Sequence, residues 1–215
     1  RRRPFFCYLP TNAAHCPYLV PQRYVEPYRN NPQVAEANFY GMIACLDERL
    51  GKLRKRLAEL GLDRDTILIF MTDNGSAAGV RFGPQKGGPG DVRVVAGFNA
   101  GMRGKKGSPY DGGHRVPCFI HYPGGGLTGG WAVEQLSAHV DILPTLVDLC
   151  RLECKPRRPD FDGMSLAPLL TGAGGGDDGR VLIESFRRVV MTKRWRLVNQ
   201  RELYDIQKDP GQQHD

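Results

Sequence analysis

Stretches with a clear apolar rhythm alternate along this chain with long stretches that have none. Ile43, Leu46, Leu50, Leu53, Leu57 and Leu60 recur at spacings of 3, 4, 3, 4 and 3, which places them on one face of a helix. Gly61 follows as a C′ residue able to take the left-handed conformation that ends helices. A coiled coil is the rival reading, but about three heptads is short for one. Asp63-Arg64-Asp65 has turn chemistry, and Thr66–Met71 is an unbroken apolar run of the kind buried on both faces. Helix, turn and buried strand together predict a parallel α/β sheet.

The rest of the chain extends this pattern. Phe5–Leu9 reads as a short buried strand stopped by Pro10, and residues 11–31 as a Pro-rich irregular segment. A Gly-rich loop from Ser76 to about Gly104 follows Asp73-Asn74-Gly75, and loops of that length commonly carry function. Val116–Tyr122 is a further strand and Pro123–Gly126 a turn. Val140–Leu149 is a short helix with Asp141 and Pro144 near its start. Leu166–Leu170 is apolar, and Gly172–Gly179 is a flexible link. Beyond it, Arg180–Phe186, Val189–Thr192, Trp195–Val198 and Glu202–Tyr204 predict a small antiparallel sheet. The expected fold class is α/β, a mixed or parallel sheet flanked by helices over residues 1–172, with a small antiparallel subdomain over 173–215.

Composition narrows the partners. The 215 residues are 40% apolar and 25% charged, ordinary for a soluble globular protein. No apolar run approaches the roughly 20 residues a membrane helix needs, and no signal-like segment opens the chain. Without an initiator Met, Arg1-Arg2-Arg3-Pro4 leads straight into apolar sequence, so the chain is expected to begin inside a longer protein. The net charge of +7 favours anionic partners. Each of its clusters (Arg1–Arg3, Lys52–Arg56, Lys155–Arg158, Arg187–Arg196), taken alone, reads first as solvated surface. No basic motif interleaved with aromatics appears, so no nucleic-acid partner is expected. Six cysteines form no C-x-x-C pair, and Cys150 and Cys154 lack a second pair at zinc spacing; most read as buried small hydrophobes.

The chemistry concentrates in Gly104–Pro117, G-K-K-G-S-P-Y-D-G-G-H-R-V-P. Its glycines allow positive φ and close approach to a ligand, and Lys105 and Lys106 supply donors for an anion. His114 and Arg115 are candidate substrate contacts, although Arg115 also suits a bracing pair with Asp111. Asp73 and Asn74 stand where a strand ends, the edge at which open α/β sheets build sites. A carboxylate beside an amide oxygen suits a hard cation, while D-N-G is also a plain turn sequence. His15, after another strand end, has the intrinsic pKa for acid work or an anion contact. There is no G-x-S-x-G and no Ser-His-Asp arrangement, so the visible groups bind but none attacks.

Taken in order, Pro4-Phe5-Phe6, His15-Cys16-Pro17, the Leu46–Leu60 helix and T-D-N-G at Thr72–Gly75 resemble the sulfatase family of the alkaline-phosphatase-like superfamily. So do G-K-K-G-S-P-Y-D-G-G-H-R-V-P, H-V-D-I-L-P-T-L at His139–Leu146, F-D-G-M-S-L at Phe161–Leu166 and E-L-Y-D-I-Q-K-D-P at Glu202–Pro210. The resemblance is to the C-terminal part of an arylsulfatase and covers nearly the whole chain. It implies an alkaline-phosphatase-like fold and hydrolysis of sulfate esters with calcium, magnesium being the alternative ion. It also implies Asp73 and Asn74 as metal ligands and Lys106 as the lysine gripping the sulfate and the bridging ester oxygen. His15 is implied as the histidine that contacts sulfate and helps the leaving group depart. Lys105 occupies a position often glycine in the family, and Ala14 stands where proline is usual. The family's formylglycine, made from Cys or Ser in C/S-x-P-x-R, has no counterpart here and is expected upstream. The fragment alone is therefore expected to be inactive. A sulfated small molecule or glycan is the implied partner, and the family's compartments are periplasmic, extracellular or lysosomal. A phosphonate or phosphate-ester hydrolase of the same superfamily and a non-catalytic polyanion-binding module are the competing readings.

Overall fold

A computed structural model describes residues 3–84, 92–153, 160–176, 179–184 and 188–215. The chain divides into two compact units, Arg1–Arg56 with Ser76–Gly101, and Leu57–Gly75 with Met102–Asp215.

In the first unit, α1 (Gln22–Val25) precedes the long helix α2 (Ala37–Glu59), whose last turn belongs to the second unit. Leu46, Leu50 and Leu53 lie half-buried along the predicted face of α2. A Cβ on Gly41 would stand 3.1 Å from the Tyr24 carbonyl oxygen, so the helix rests closely on the α1 segment. The predicted stop is present. Gly61 has φ +65, its N–H reaches Ala58 O at 2.9 Å, and Leu62 N–H reaches Leu57 O at 2.8 Å, the two bonds of a Schellman motif.

Three expectations fail, two of them in this unit. Phe5–Leu9 forms no strand, and Phe5, Phe6, Tyr8 and Leu9 are 62% to 82% exposed. Apolar residues make a strand only where a neighbour supplies the ladder, and none does so among the described residues. The long loop after Ser76 contains a hairpin, β2 (Arg81–Pro84) against β3 (Val92–Ala96); residues 85–91 lie outside the described ones. The cysteines are also not buried: Cys7, Cys16, Cys118 and Cys150 are exposed and Cys45 is half-buried, while Cys154 lies outside the described residues. Arg1 and Arg2, Lys155–Arg158 and Arg187 of the basic clusters, and Phe186 of the first predicted C-terminal strand, lie outside them too.

The second unit holds the remaining elements. β1 (Leu68–Met71) pairs with β4 (Cys118–His121) antiparallel, Leu68 opposite His121 and Met71 opposite Cys118. The expected parallel pairing is therefore not what this apolar run makes; every ladder among the described residues is antiparallel. Periodicity reports burial and says nothing of a partner's direction. Nor is β1 buried on both faces, since Leu68–Phe70 are half-buried and Met71 is exposed. The C-terminal sheet forms as predicted. β5 (Leu182–Glu184), β6 (Val189–Met191), β7 (Trp195–Val198) and β8 (Glu202–Asp205) make an antiparallel meander in chain order. Asn199 and Gln200, at φ 50 and 60, supply the primed turn between β7 and β8.

Two clusters hold this unit together. Val189, Met191, Val198 and Tyr204 of the sheet bury against Tyr110 of the Gly104–Pro117 loop. Asp141, fully buried, precedes helix α4 (Ile142–Leu149) and accepts two hydrogen bonds from Arg180, at 2.8 and 2.6 Å. It also accepts the N–H groups of Ala138 and Met164. A Cβ on Gly163 would meet the Val140 carbonyl oxygen at 2.1 Å. The H-V-D and F-D-G-M motifs are thus two sides of one packing contact.

Candidate active site

The D-N-G segment leaves β1 and passes directly over the glycines of the lysine-bearing loop. Gly75 N–H donates to Gly113 O at 3.0 Å, and a Cβ on Gly75 would stand 1.9 Å from Gly112 O. Only glycine permits that approach. Asp73 is exposed and Asn74 half-buried, with Asn74 Nδ2 donating to Asp73 Oδ2. On the other side, Gly112 and Gly113 sit in the one-turn helix α3 (Asp111–His114). A Cβ on either would fall 2.5 Å from Arg103 O or 2.2 Å from Ser108 O. The paired glycines let three backbone segments stack at van der Waals distance.

The lysines occupy a tight turn. Ser108 N–H donates to Lys105 O at 2.8 Å, and Gly107, third in the turn, has φ +82, the positive value of a type II turn. Lys106 stands at the tip, exposed, and no hydrogen bond or ion pair engages its side chain among the described residues. Lys105 is exposed too, and its N–H donates to Ser108 Oγ at 3.0 Å. Arg115 is exposed, with Nη1 3.7 Å from Asp111 Oδ2, so it makes the bracing pair. His114 is half-buried, its Nε2 3.2 Å from the Pro109 carbonyl, to which a protonated Nε2 donates. The Gly75–Gly113 contact thus joins the segment that carries Asp73 and Asn74 to the loop that carries Lys105, Lys106, His114 and Arg115. His15 belongs to the first unit, on a turn closed by its N–H to Asn12 O at 2.7 Å.

Burial pushes the His114 pKa below its ordinary 6.5, outweighing Asp111 and the Pro109 carbonyl, which favour the protonated ring. With the folded-state pKa depressed, the unfolded chain binds the proton first. The contribution to stability is complete above about pH 6.5 and is lost as pH falls toward the folded-state value. Urea midpoints at pH 7.5 and 5.5 are expected to fall more steeply with acid in the parent protein than in His114→Gln. Equal slopes would remove this role.

Sequence reasoning missed the floor beneath the loop. Asp111 is fully buried and receives Arg196 Nε from β7 at 3.1 Å. Arg103 lies 3.8 Å over the Tyr110 ring and donates from Nη1 to Tyr204 OH, Glu202 Oε2 and Gln212 O. Tyr110 and Tyr204 both donate to Glu202, and burial raises the pKa of both phenols, keeping them protonated donors. The signals available were weak: an arginine directly before G-K-K-G, and a tyrosine inside E-L-Y-D.

Asp73 and Asn74 offer two oxygen ligands of the hard type that calcium prefers, of the roughly six to eight it takes. No third His, Cys, Asp or Glu joins them in a metal-sized group among the described residues. The donor chemistry fits the ion and the donor number covers part of its shell. A shallow cleft of about 260 Å³, lined by Trp131, Glu134, Gln135 and Lys193 among others, contains none of these residues.

The sulfatase family's sequence model matches residues 1–152. Human arylsulfatase A is 31% identical over 173 residues, covering 80% of this chain and 30% of that protein. Mouse steryl-sulfatase is 28% identical over 199 residues, covering 91% of this chain and 29% of its own length. The crystal structure of Ps i-CgsB superposes with a TM-score of 0.81 at 23% identity, over 100% of this chain and 46% of that one. Its complex with k-i-k-neocarrahexaose gives 0.79 at 22% identity, with the same coverage. This chain belongs to the sulfatase family and has the alkaline-phosphatase-like fold of its structural relatives. It spans less than half the length of those relatives.

Proposed function

We propose that the complete protein is a sulfuric ester hydrolase of the arylsulfatase type, to which this chain contributes the lysine turn, part of a metal site and a histidine. The observation that carries this reading is the Gly75–Gly113 backbone contact, which ties a cation-type strand end to an anion-type loop. Residues 1–172 are read as part of the catalytic domain and 173–215 as its small C-terminal subdomain.

Each residue has a chemical task. Lys106 donates to a sulfate oxygen and to the bridging ester oxygen, where negative charge grows as the S–O bond breaks; donors placed there act chiefly on the transition state. Lys105, His114 and Arg115 are the further candidate substrate contacts of the loop. His15 contacts the sulfate and gives a proton to the departing oxygen. Asp73 and Asn74 would hold a calcium ion, which would supply positive charge against the sulfate oxygens, and the formylglycine nucleophile is expected from sequence upstream. The substrate is a sulfated small molecule or a sulfated glycan; the relative crystallised with k-i-k-neocarrahexaose puts an oligosaccharide among those to test.

Metal analysis of the complete protein after desalting tests the ion. The parent is expected to retain calcium and Asp73→Ala to lose it; full retention in the variant would refute the ligand role. The residue at the upstream nucleophile position tests the reaction. Cys or Ser in C/S-x-P-x-R supports the sulfatase, an unmodified Thr or Ser without that motif points to phosphoryl chemistry, and no modifiable residue at all points to a binding module.

A further inference from the structure

We infer that Gln212 is a positioning residue that staples the two ends of the lysine loop, an inference resting on the reading of Lys106 as the group that grips substrate. Lys106 lies in Gly104–Tyr110, between Arg103 on the entering side and Asp111 on the leaving side. Those ends meet through Gly112 N–H donating to Arg103 O at 2.8 Å. Gln212 then holds both. Its backbone carbonyl accepts from Arg103 Nη1 at 3.1 Å, and its side-chain Oε1 accepts from Asp111 N–H at 2.8 Å. The residue has no exposed surface.

The tail that carries Gln212 is itself shaped for the task. Gln212 has φ +53, an uncommon value for a non-glycine residue, and its N–H donates to Asp209 O at 3.0 Å. The Asp209 carboxylate accepts the N–H groups of Gln213 and His214 at 2.6 and 2.8 Å, which orders the segment around it. A residue more than 100 positions along the chain from Asp111 thus fills a backbone hydrogen bond that the loop cannot fill for itself. Arg103 keeps Tyr204 and Glu202 as further partners. Loss of the staple should therefore loosen the loop and leave the fold standing.

A group that must meet a developing charge tolerates little displacement, and misplacement by about 1 Å costs on the order of 100-fold in rate. The informative variant is Gln212→Met, which keeps the side chain's bulk and removes its acceptor. Thr145→Val is the control. It removes a buried hydroxyl that accepts Leu166 N–H at 2.8 Å, away from the loop, and so costs stability alone.

Both variants are made in the complete protein and measured well below their melting temperatures. Gln212→Met is expected to lower kcat for a chromogenic aryl sulfate roughly 10- to 100-fold, with KM within about threefold, while Thr145→Val leaves both near the parent values. Independently of activity, trypsin is expected to cut after Lys105 or Lys106 about tenfold faster in Gln212→Met than in Thr145→Val. Matching behaviour of the two variants in both measurements overturns the staple. A parent protein inactive on sulfate esters but showing the tryptic contrast overturns the sulfatase reading and upholds the staple.

Discussion

Replacing Lys106 by Ala in the complete protein is expected to lower kcat/KM for a sulfate ester by roughly 100- to 1,000-fold, the usual cost of removing one donor aimed at a transition-state oxyanion. Lys105→Ala is expected to cost far less. The two side chains are neighbours, both exposed and of the same chemistry, so bulk electrostatics would treat them alike. The turn separates them. Lys105 opens the turn, with its carbonyl and N–H both engaged by Ser108, whereas Lys106 stands at the tip beside the positive-φ Gly107. A tip residue can advance onto a ligand without breaking the turn. Equal losses from the two substitutions would sink the assignment, because a diffuse positive patch would then explain the loop.

Arg196→Met is expected to destabilise the protein by about 3–5 kcal/mol, the scale seen when one partner of a buried ion pair is removed. Asp111 and Arg196 are 1% and 7% exposed, and Nε meets Oδ1 at 3.1 Å. Arg196 also donates from Nη1 to the carbonyls of Thr192 and Trp195, so its loss frees two backbone acceptors as well. A second cation near Asp111, Arg115, is exposed and 3.7 Å away and so a weak substitute. Urea unfolding measures the loss. The double variant Asp111→Asn with Arg196→Met should lose clearly less than the sum of the singles, since it leaves no buried charge behind. A single-variant loss below about 1 kcal/mol, or strict additivity, would show that the pair does not carry the loop.

These expectations bear on what the C-terminal sheet is for. Its core cluster takes in Tyr110, and its strands and tail supply Arg196, Glu202, Tyr204 and Gln212 to the underside of the loop. The segment furthest along the chain from D-N-G therefore braces the loop on which D-N-G rests.

What could be read from sequence was local. The leucine spacing marked the α2 face, Gly61 marked its stop, and D-N-G and G-K-K-G-S marked turns whose glycines the backbone requires. The four C-terminal strands were visible because each is a short apolar run punctuated by turn residues. Periodicity, capping and turn chemistry act within a few residues, so their signal survives without the fold. Phe5–Leu9 shows the limit, since its apolar pattern was correct and its burial was not.

The tertiary structure alone decided which distant segments meet. It set β1 antiparallel to β4, though the apolar run would suit either direction. It made Arg196, 85 residues away, the principal partner of Asp111, where sequence proximity had offered Arg115. It also put Gln212, an unremarked residue of the tail, against both ends of the lysine loop. Hydrogen bonds and ion pairs are satisfied by whatever the packed chain brings within about 3 Å, and no local pattern encodes which partner that will be.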